Sequence, residues 1–199
     1  MNTNNKQPIK YYIADTHFGH KNAIEYDNRP WSDITAMRDG MVKLWNDKVR
    51  KCDEVYILGD FCWKGQEDWI SLLTELNGRK FLIPGNHDPR NLQPEVVSLL
   101  EEPPTPYKVV KDSGYMVIMS HYPMISYLSD TRPTSLMFHG HVHDTLENKA
   151  LKDAIRTMQE SSKAAGFDYQ ARLYNCWCGF YGWAPATLEE VISNENSHL

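Results

Sequence analysis

Short apolar runs that stop abruptly at polar residues recur along the chain. IKYYIA at 9–14 runs into Asp15 and His17, and EVYIL at 54–58 runs into Gly59 and Asp60. KFLI at 80–83 leads through Pro84 and Gly85 into Asn86, His87 and Asp88. YMVIM at 115–119 ends at Ser120 and His121, and LMF at 136–138 leads into His139, Gly140, His141 and His143. Runs this short, rich in Ile, Val, Tyr and Phe and bounded by turn residues, predict β-strands.

Helical spacing fills the intervals. Ile34, Met37, Met41, Leu44, Trp45 and Val49 form one stripe, behind Ser32 and Asp33, either of which can cap it. Gly40 weakens that helix by about 1 kcal/mol relative to alanine. Trp69, Leu72, Leu73 and Leu76 form a second stripe closed by Asn77-Gly78, and Leu151, Ile155 and Met158 suggest a third. Thr187-Leu188-Glu189-Glu190 reads as a capping box opening a last short helix. Strands alternating with helices predict a layered α/β domain. EEPPTP at 101–106 is a connection, because metal-ligand residue types lie on both sides of it. The expectation is one domain over 1–199, with 1–8 a flexible N-terminal tail.

At 199 residues, such a domain buries roughly 70% of its extended-chain surface and needs no staples. A net charge of −5 and the lack of a Lys/Arg-rich run argue against capture of extended nucleic acid. Phosphate chemistry would therefore need a local source of positive charge. The polar start MNTNNKQP is no secretory signal, and no run approaches the roughly 18 apolar residues of a membrane span. With four cysteines and no export signal, reduced thiols and a cytoplasmic location are expected.

In open α/β sheets, sites form beyond the carboxyl ends of strands. Here five predicted strands end in Asp, Asn and His. Ordinary turn chemistry explains any one of these endings, but not all five with their histidines. Glycine precedes the candidate ligand in Gly59-Asp60, Gly85-Asn86 and Gly140-His141, which allows a sharp strand exit and close approach to an ion.

Taken in order, Asp15-Thr16-His17, Gly59-Asp60, Gly85-Asn86-His87-Asp88, Ser120-His121 and Gly140-His141-Val142-His143 resemble the calcineurin-like metallophosphoesterases. The longer opening DTHFGHKN is similar to that of small bacterial and phage-encoded members. The resemblance spans 15–143 and implies a four-layer α/β/β/α sandwich of two mixed sheets with flanking helices. It implies one metal on Asp15, His17, Asp60 and His143, and a second on Asp60, Asn86, His121 and His141. Oxygen and nitrogen donors without thiolate suit manganese, iron, zinc or a similar divalent metal.

The implied activity is hydrolysis of phosphomonoesters or phosphodiesters by a metal-bridging hydroxide, with a small phosphate ester as partner. His87 takes the place of the family's general acid, and Asp88 the place of the acid that orients it. His20 and Arg29 are candidate substrate contacts, the latter for a phosphate or for a base stacked on Trp31. His139 is a candidate support for the ligand pair. Cys176 and Cys178 in YNCWCGFYGW would share one face if on a strand; burial is the expectation for them, as for Cys62. The tryptophans are expected to pack in the core, and His198 to lie in a floppy terminus.

Two further functions compete. A non-catalytic scaffold keeping this fold would be expected to lose a ligand or the GNHD histidine, and every expected position is filled. A nuclease acting on short oligonucleotides or cyclic nucleotides would use the aromatic C-terminal stretch to stack bases.

Overall fold

The computed structural model describes residues 7–63, 65–167 and 169–194. Most of the expected tail, and His198, lie outside the described residues. In chain order the elements are β1 (Lys10–Ile13), α1 (Lys21–Tyr26), α2 (Ile34–Lys48), β2 (Glu54–Ile57), α3 (Gln66–Glu75) and β3 (Arg79–Leu82). There follow α4 (Pro94–Val97), β4 (Lys108–Asp112), β5 (Tyr115–Met119), β6 (Ser135–His139), α5 (Leu146–Ala164), β7 (Leu173–Asn175), β8 (Ala186–Thr187) and α6 (Leu188–Ser193).

The strands form two four-stranded sheets, ordered β3-β2-β1-β8 and β4-β5-β6-β7. Each is parallel apart from one antiparallel edge, β8 in the first and β4 in the second. Side-chain alternation sorts the apolar residues into layers. Tyr12, Tyr56 and Phe81 of the first sheet meet Val117, Met119, Leu136 and Phe138 of the second. The opposite face of the first sheet, with Ile13, Val55, Ile57 and Leu82, packs on Met37, Met41 and Trp45 of α2 and Trp69, Leu72 and Leu73 of α3. Behind the second sheet, Ile118, Met137 and Leu173 cover Ile155 of α5. The result is a four-layer α/β/β/α sandwich. Strands covered on both faces read as continuous apolar runs, which is why five of them were visible in the sequence.

The antiparallel edges, β4 and β8, carried weaker signals. In β4 burial alternates between half-buried and exposed, and β8 is two residues held by Tyr11↔Thr187 and Tyr12↔Ala186 pairing with β1. Asp33, rather than Ser32, caps α2, its Oδ1 accepting from the N–H groups of Thr35 and Ala36 at 2.9 Å each. Gly40 is required by contact: a Cβ there would lie 2.2 Å from Nε1 of Trp31. The capping box at Thr187 and Glu190 forms.

The C-x-C pair follows β7 instead of lying on a strand. Cys176 packs between the sheets and Cys178 on the helical side of the first sheet, so the two thiols face different layers. Both are buried, as is Cys62. Among the described residues no helix is long and apolar enough to cross a membrane.

Candidate metal centre

The exits of β1, β2, β3, β5 and β6 converge at one end of the paired sheets. Backbone bonds lace them together: Asp15 N–H donates to Gly59 O at 3.0 Å, His17 N–H to Asp60 O at 2.9 Å, and Gly140 N–H to His121 O at 3.0 Å. Asp15, His17, Asp60, His141 and His143 all have positive φ, between 42° and 73°. Non-glycine residues rarely adopt that region, which costs of order 1–3 kcal/mol each and persists where surrounding structure imposes it. Five such residues in one cleft mark it as a built site.

The structure brings all seven candidate ligands together. Asp15, His17 and His143 present donor atoms within 4.8 Å of one another, and so do Asp60, His121 and His141. His143 Nε2 lies 3.3 Å from His17 Nε2 and 3.4 Å from Asp15 Oδ1. His121 Nε2 lies 3.0 Å from Asn86 Oδ1 and 3.6 Å from Asp60 Oδ2. Asp60 Oδ2 is also 3.8 Å from His17 Nε2, so one carboxylate oxygen faces both groups. The other oxygen, Oδ1, is taken by the His87 N–H at 2.8 Å.

Proton positions test the fit to cations. A carbonyl only accepts, so His121 donates from Nδ1 to Leu58 O at 2.7 Å and turns a lone pair at Nε2 toward Asn86 Oδ1 and Asp60 Oδ2. Nδ1 of His143 likewise faces Asp27 Oδ1 at 2.9 Å, leaving Nε2 toward His17 and Asp15. Around His121, acceptors converge on acceptors, which fits a cation between them. Burial lowers His17 to about 3 and also lowers His141, which keeps these imidazoles neutral with a lone pair to offer. Burial would raise Asp15, but hydrogen bonding to His143 and the nearby imidazoles bring it down to about 2. Burial also disfavours charge on His143, yet Asp15 and Asp27 outweigh it and push that imidazole up to about 10, a proton a divalent ion would displace. Burial raises Asp60. The donor set fits two divalent cations.

The three glycines before ligands make room for neighbouring ligands. A Cβ on Gly59 would lie 2.4 Å from Nδ1 of His121, on Gly85 2.2 Å from Oδ1 of Asp60, and on Gly140 2.5 Å from Oδ2 of Asp15. Their space belongs to the side chains that would hold the ions.

Other expectations are corrected. Asp88 does not orient the His87 ring. Its buried carboxylate accepts N–H bonds from Asp60 (2.9 Å), Phe61 (2.8 Å) and Gly85 (2.8 Å), tying the β2 and β3 exits together. Burial, the largest influence, raises it to about 6 despite those bonds. Arg29 does not reach the cleft. Its guanidinium is buried, donates to Asp27 Oδ2 at 2.7 Å, to Thr16 O at 2.6 Å and to Asp15 O at 3.2 Å, and lies 4.9 Å from the Trp183 ring rather than beside Trp31. Trp31, Trp177 and Trp183 do not line the cleft either: buried Trp177 stacks on His143 at 5.6 Å, and the three pack edge to face. His139 is buried, bonded through Nδ1 to Gly140 O at 2.9 Å and lowered by burial to about 4.

His20 and His87 do line the cleft, which has a volume of about 430 Å³. Two residues there escaped the sequence reading. Asp27 bridges His143 and Arg29, but at the C-terminal end of α1 it looks like ordinary helix-end chemistry. Trp63, expected in the core, is 48% exposed at the cleft wall. Asn175 also supports the site, donating from Nδ2 to His143 O at 2.8 Å.

A profile of calcineurin-like phosphoesterases matches residues 11–194. The uncharacterised protein MJ1445 of Methanocaldococcus jannaschii is 35% identical over 67% of this chain and 68% of its own length. The Gene 66 protein of Mycobacterium phage L5 is 29% identical over 68% of this chain and 78% of its own. A solved structure, the protein of unknown function AQ665 from Aquifex aeolicus, superposes with a TM-score of 0.65 at 24% identity, covering 92% of this chain and 97% of the other, a likeness of fold.

Proposed function

Because the chain belongs to the calcineurin-like phosphoesterase family, we propose that it is a metal-dependent hydrolase of phosphate esters acting at a dinuclear site. The observation that carries this reading is the pair of donor groups, Asp15/His17/His143 and Asp60/His121/His141, meeting at Oδ2 of Asp60. Two divalent ions held there would supply positive charge for a phosphate and lower the pKa of bound water. The chain is acidic, with a net charge of −5 and no Lys/Arg-rich run in its sequence to supply that charge instead.

The remaining work falls to the chain's own residues. Asp60 fixes the His87 backbone through Oδ1 and keeps Oδ2 for the ions. His87, with Nε2 4.0 Å from Asp60 Oδ2 and its ring partly exposed, would protonate a departing alkoxide. Trp177 stacks on the His143 ring, and Asn175 donates to the His143 carbonyl. Asp27 holds its ring from the side.

The test is hydrolysis of p-nitrophenyl phosphate and of its bis-ester with added manganese, alongside elemental analysis of the purified protein. Turnover of at least one ester, lost when Asp60 is replaced by asparagine, is the expected result. No turnover of either and no bound metal would leave a scaffold reading instead.

A further inference from the structure

Trp63 is a large aromatic side chain left 48% exposed on the cleft wall. The segment after Asp60 is zipped to the segment after His17, with Phe18 pairing to Cys62 and Trp63 N–H donating to Phe18 O at 2.9 Å. That pairing sets the indole on the cleft wall between two imidazoles, its ring centroid 4.8 Å from His87 and 4.1 Å from His20. Tyr26, 72% exposed, lines the same wall beyond His20. Large exposed aromatic surface at the lip of a cleft marks a ligand contact.

Position narrows the ligand. On the hydrolase reading, His87 stands on the leaving-group side of the phosphate, so whatever is bonded to the leaving oxygen extends past His87 toward Trp63. We propose that Trp63, backed by His20 and Tyr26, is a stacking wall for a planar ring carried by the leaving alcohol, which makes nucleoside phosphate esters the substrate class. This rests on the hydrolase reading above. Base stacking on aromatic side chains is tolerant of sequence and needs no basic groove, which suits an acidic chain and a nucleotide-sized substrate.

The experiment compares kcat/KM for adenosine 5′-monophosphate and ribose 5-phosphate, which break the same bond and differ only in the base. A diester pair, a dinucleotide and its counterpart abasic on the leaving side, runs in parallel. Manganese-loaded wild type, Trp63→Ala and Trp63→Phe are measured, with unfolding midpoints as a check on folding. Wild type is expected to favour the base-bearing member of at least one pair by about ten-fold or more, Trp63→Ala to bring that ratio to within about two-fold of unity, and Trp63→Phe to keep most of it. A wild-type ratio near unity, or one unchanged in Trp63→Ala, overturns the proposal. Cleavage of p-nitrophenyl esters with none of the four compounds turned over overturns it and leaves the hydrolase reading standing. Failure on the p-nitrophenyl esters as well removes both.

Discussion

Asp27 Oδ1 lies 2.9 Å from Nδ1 of His143, across 116 positions of sequence, while Asp27 Oδ2 receives the buried guanidinium of Arg29. The same guanidinium holds the carbonyls of Thr16 and Asp15. One carboxylate therefore fixes the ring of a β6-exit ligand and, through Arg29, the backbone of the β1 exit. A carboxylate behind a metal-binding histidine fixes its orientation and raises its basicity.

Asp27→Asn should accordingly weaken metal binding by about 10–100-fold with the fold retained. Titration with manganese or zinc against a competing chelator measures it. Unchanged affinity would reduce Asp27 to a fold residue.

His87→Asn should slow an ester with an alkoxide leaving group far more than one with p-nitrophenolate, which departs without a proton. Comparison of an alkyl and a p-nitrophenyl phosphate under one set of conditions reads this directly. Equal losses would remove the acid role.

Asp88→Ala should behave differently from His87→Asn. Three N–H groups, those of Asp60 and Phe61 buried and that of Gly85 half-buried, lose their acceptor, a loss of about 2–3 kcal/mol in unfolding free energy. Any effect on turnover should fall equally on both leaving groups, because the carboxylate touches backbone and not the His87 ring.

Gly85→Ala should destabilise by about 1–3 kcal/mol and deplete bound metal, since the added Cβ meets Asp60 Oδ1 at 2.2 Å and Asp60 N at 2.6 Å. Gly65→Ala, with nothing within 4 Å of its Cβ, should lose less than about 1 kcal/mol and no metal. Urea unfolding with elemental analysis separates the two.

Asp53 gives a pH-dependent case away from the site. Its buried carboxylate accepts from Ile9 N–H (2.9 Å) and Arg50 N–H (2.8 Å) and pairs with the Arg50 guanidinium. Burial opposes its ionisation, but Arg50 and the two N–H groups outweigh burial and hold it below the usual carboxylate range. A depressed folded pKa contributes stability above the unfolded value of about 3.9 and loses it as pH falls through the folded value. Asp53→Asn should therefore cost about 1–3 kcal/mol at neutral pH, with the gap from wild type closing below about pH 4. A gap constant from pH 7 to pH 3 would refute the ionic account.

Much of this was legible in the chain. Strands buried on both faces leave unbroken apolar runs, so β1, β2, β3, β5 and β6 were visible, and with them the residues at their exits. The helical stripes of α2 and α3 were equally plain. β4, β7 and β8 were not, because a half-exposed strand, or one of only two or three residues, is defined by its partner and not by its own composition.

The sequence by itself determined which side chains end up at strand exits, because a strand's length and its abrupt polar stop are local properties. It also supplied the ordered motifs that carry the family resemblance. Only the tertiary structure decided what those side chains do on arrival. Asp88 turned inward to backbone N–H groups, Arg29 was buried against Asp27, and Trp63 was left facing the cleft. Each outcome depends on where a distant segment packs, and spacing along one chain carries no record of that distance.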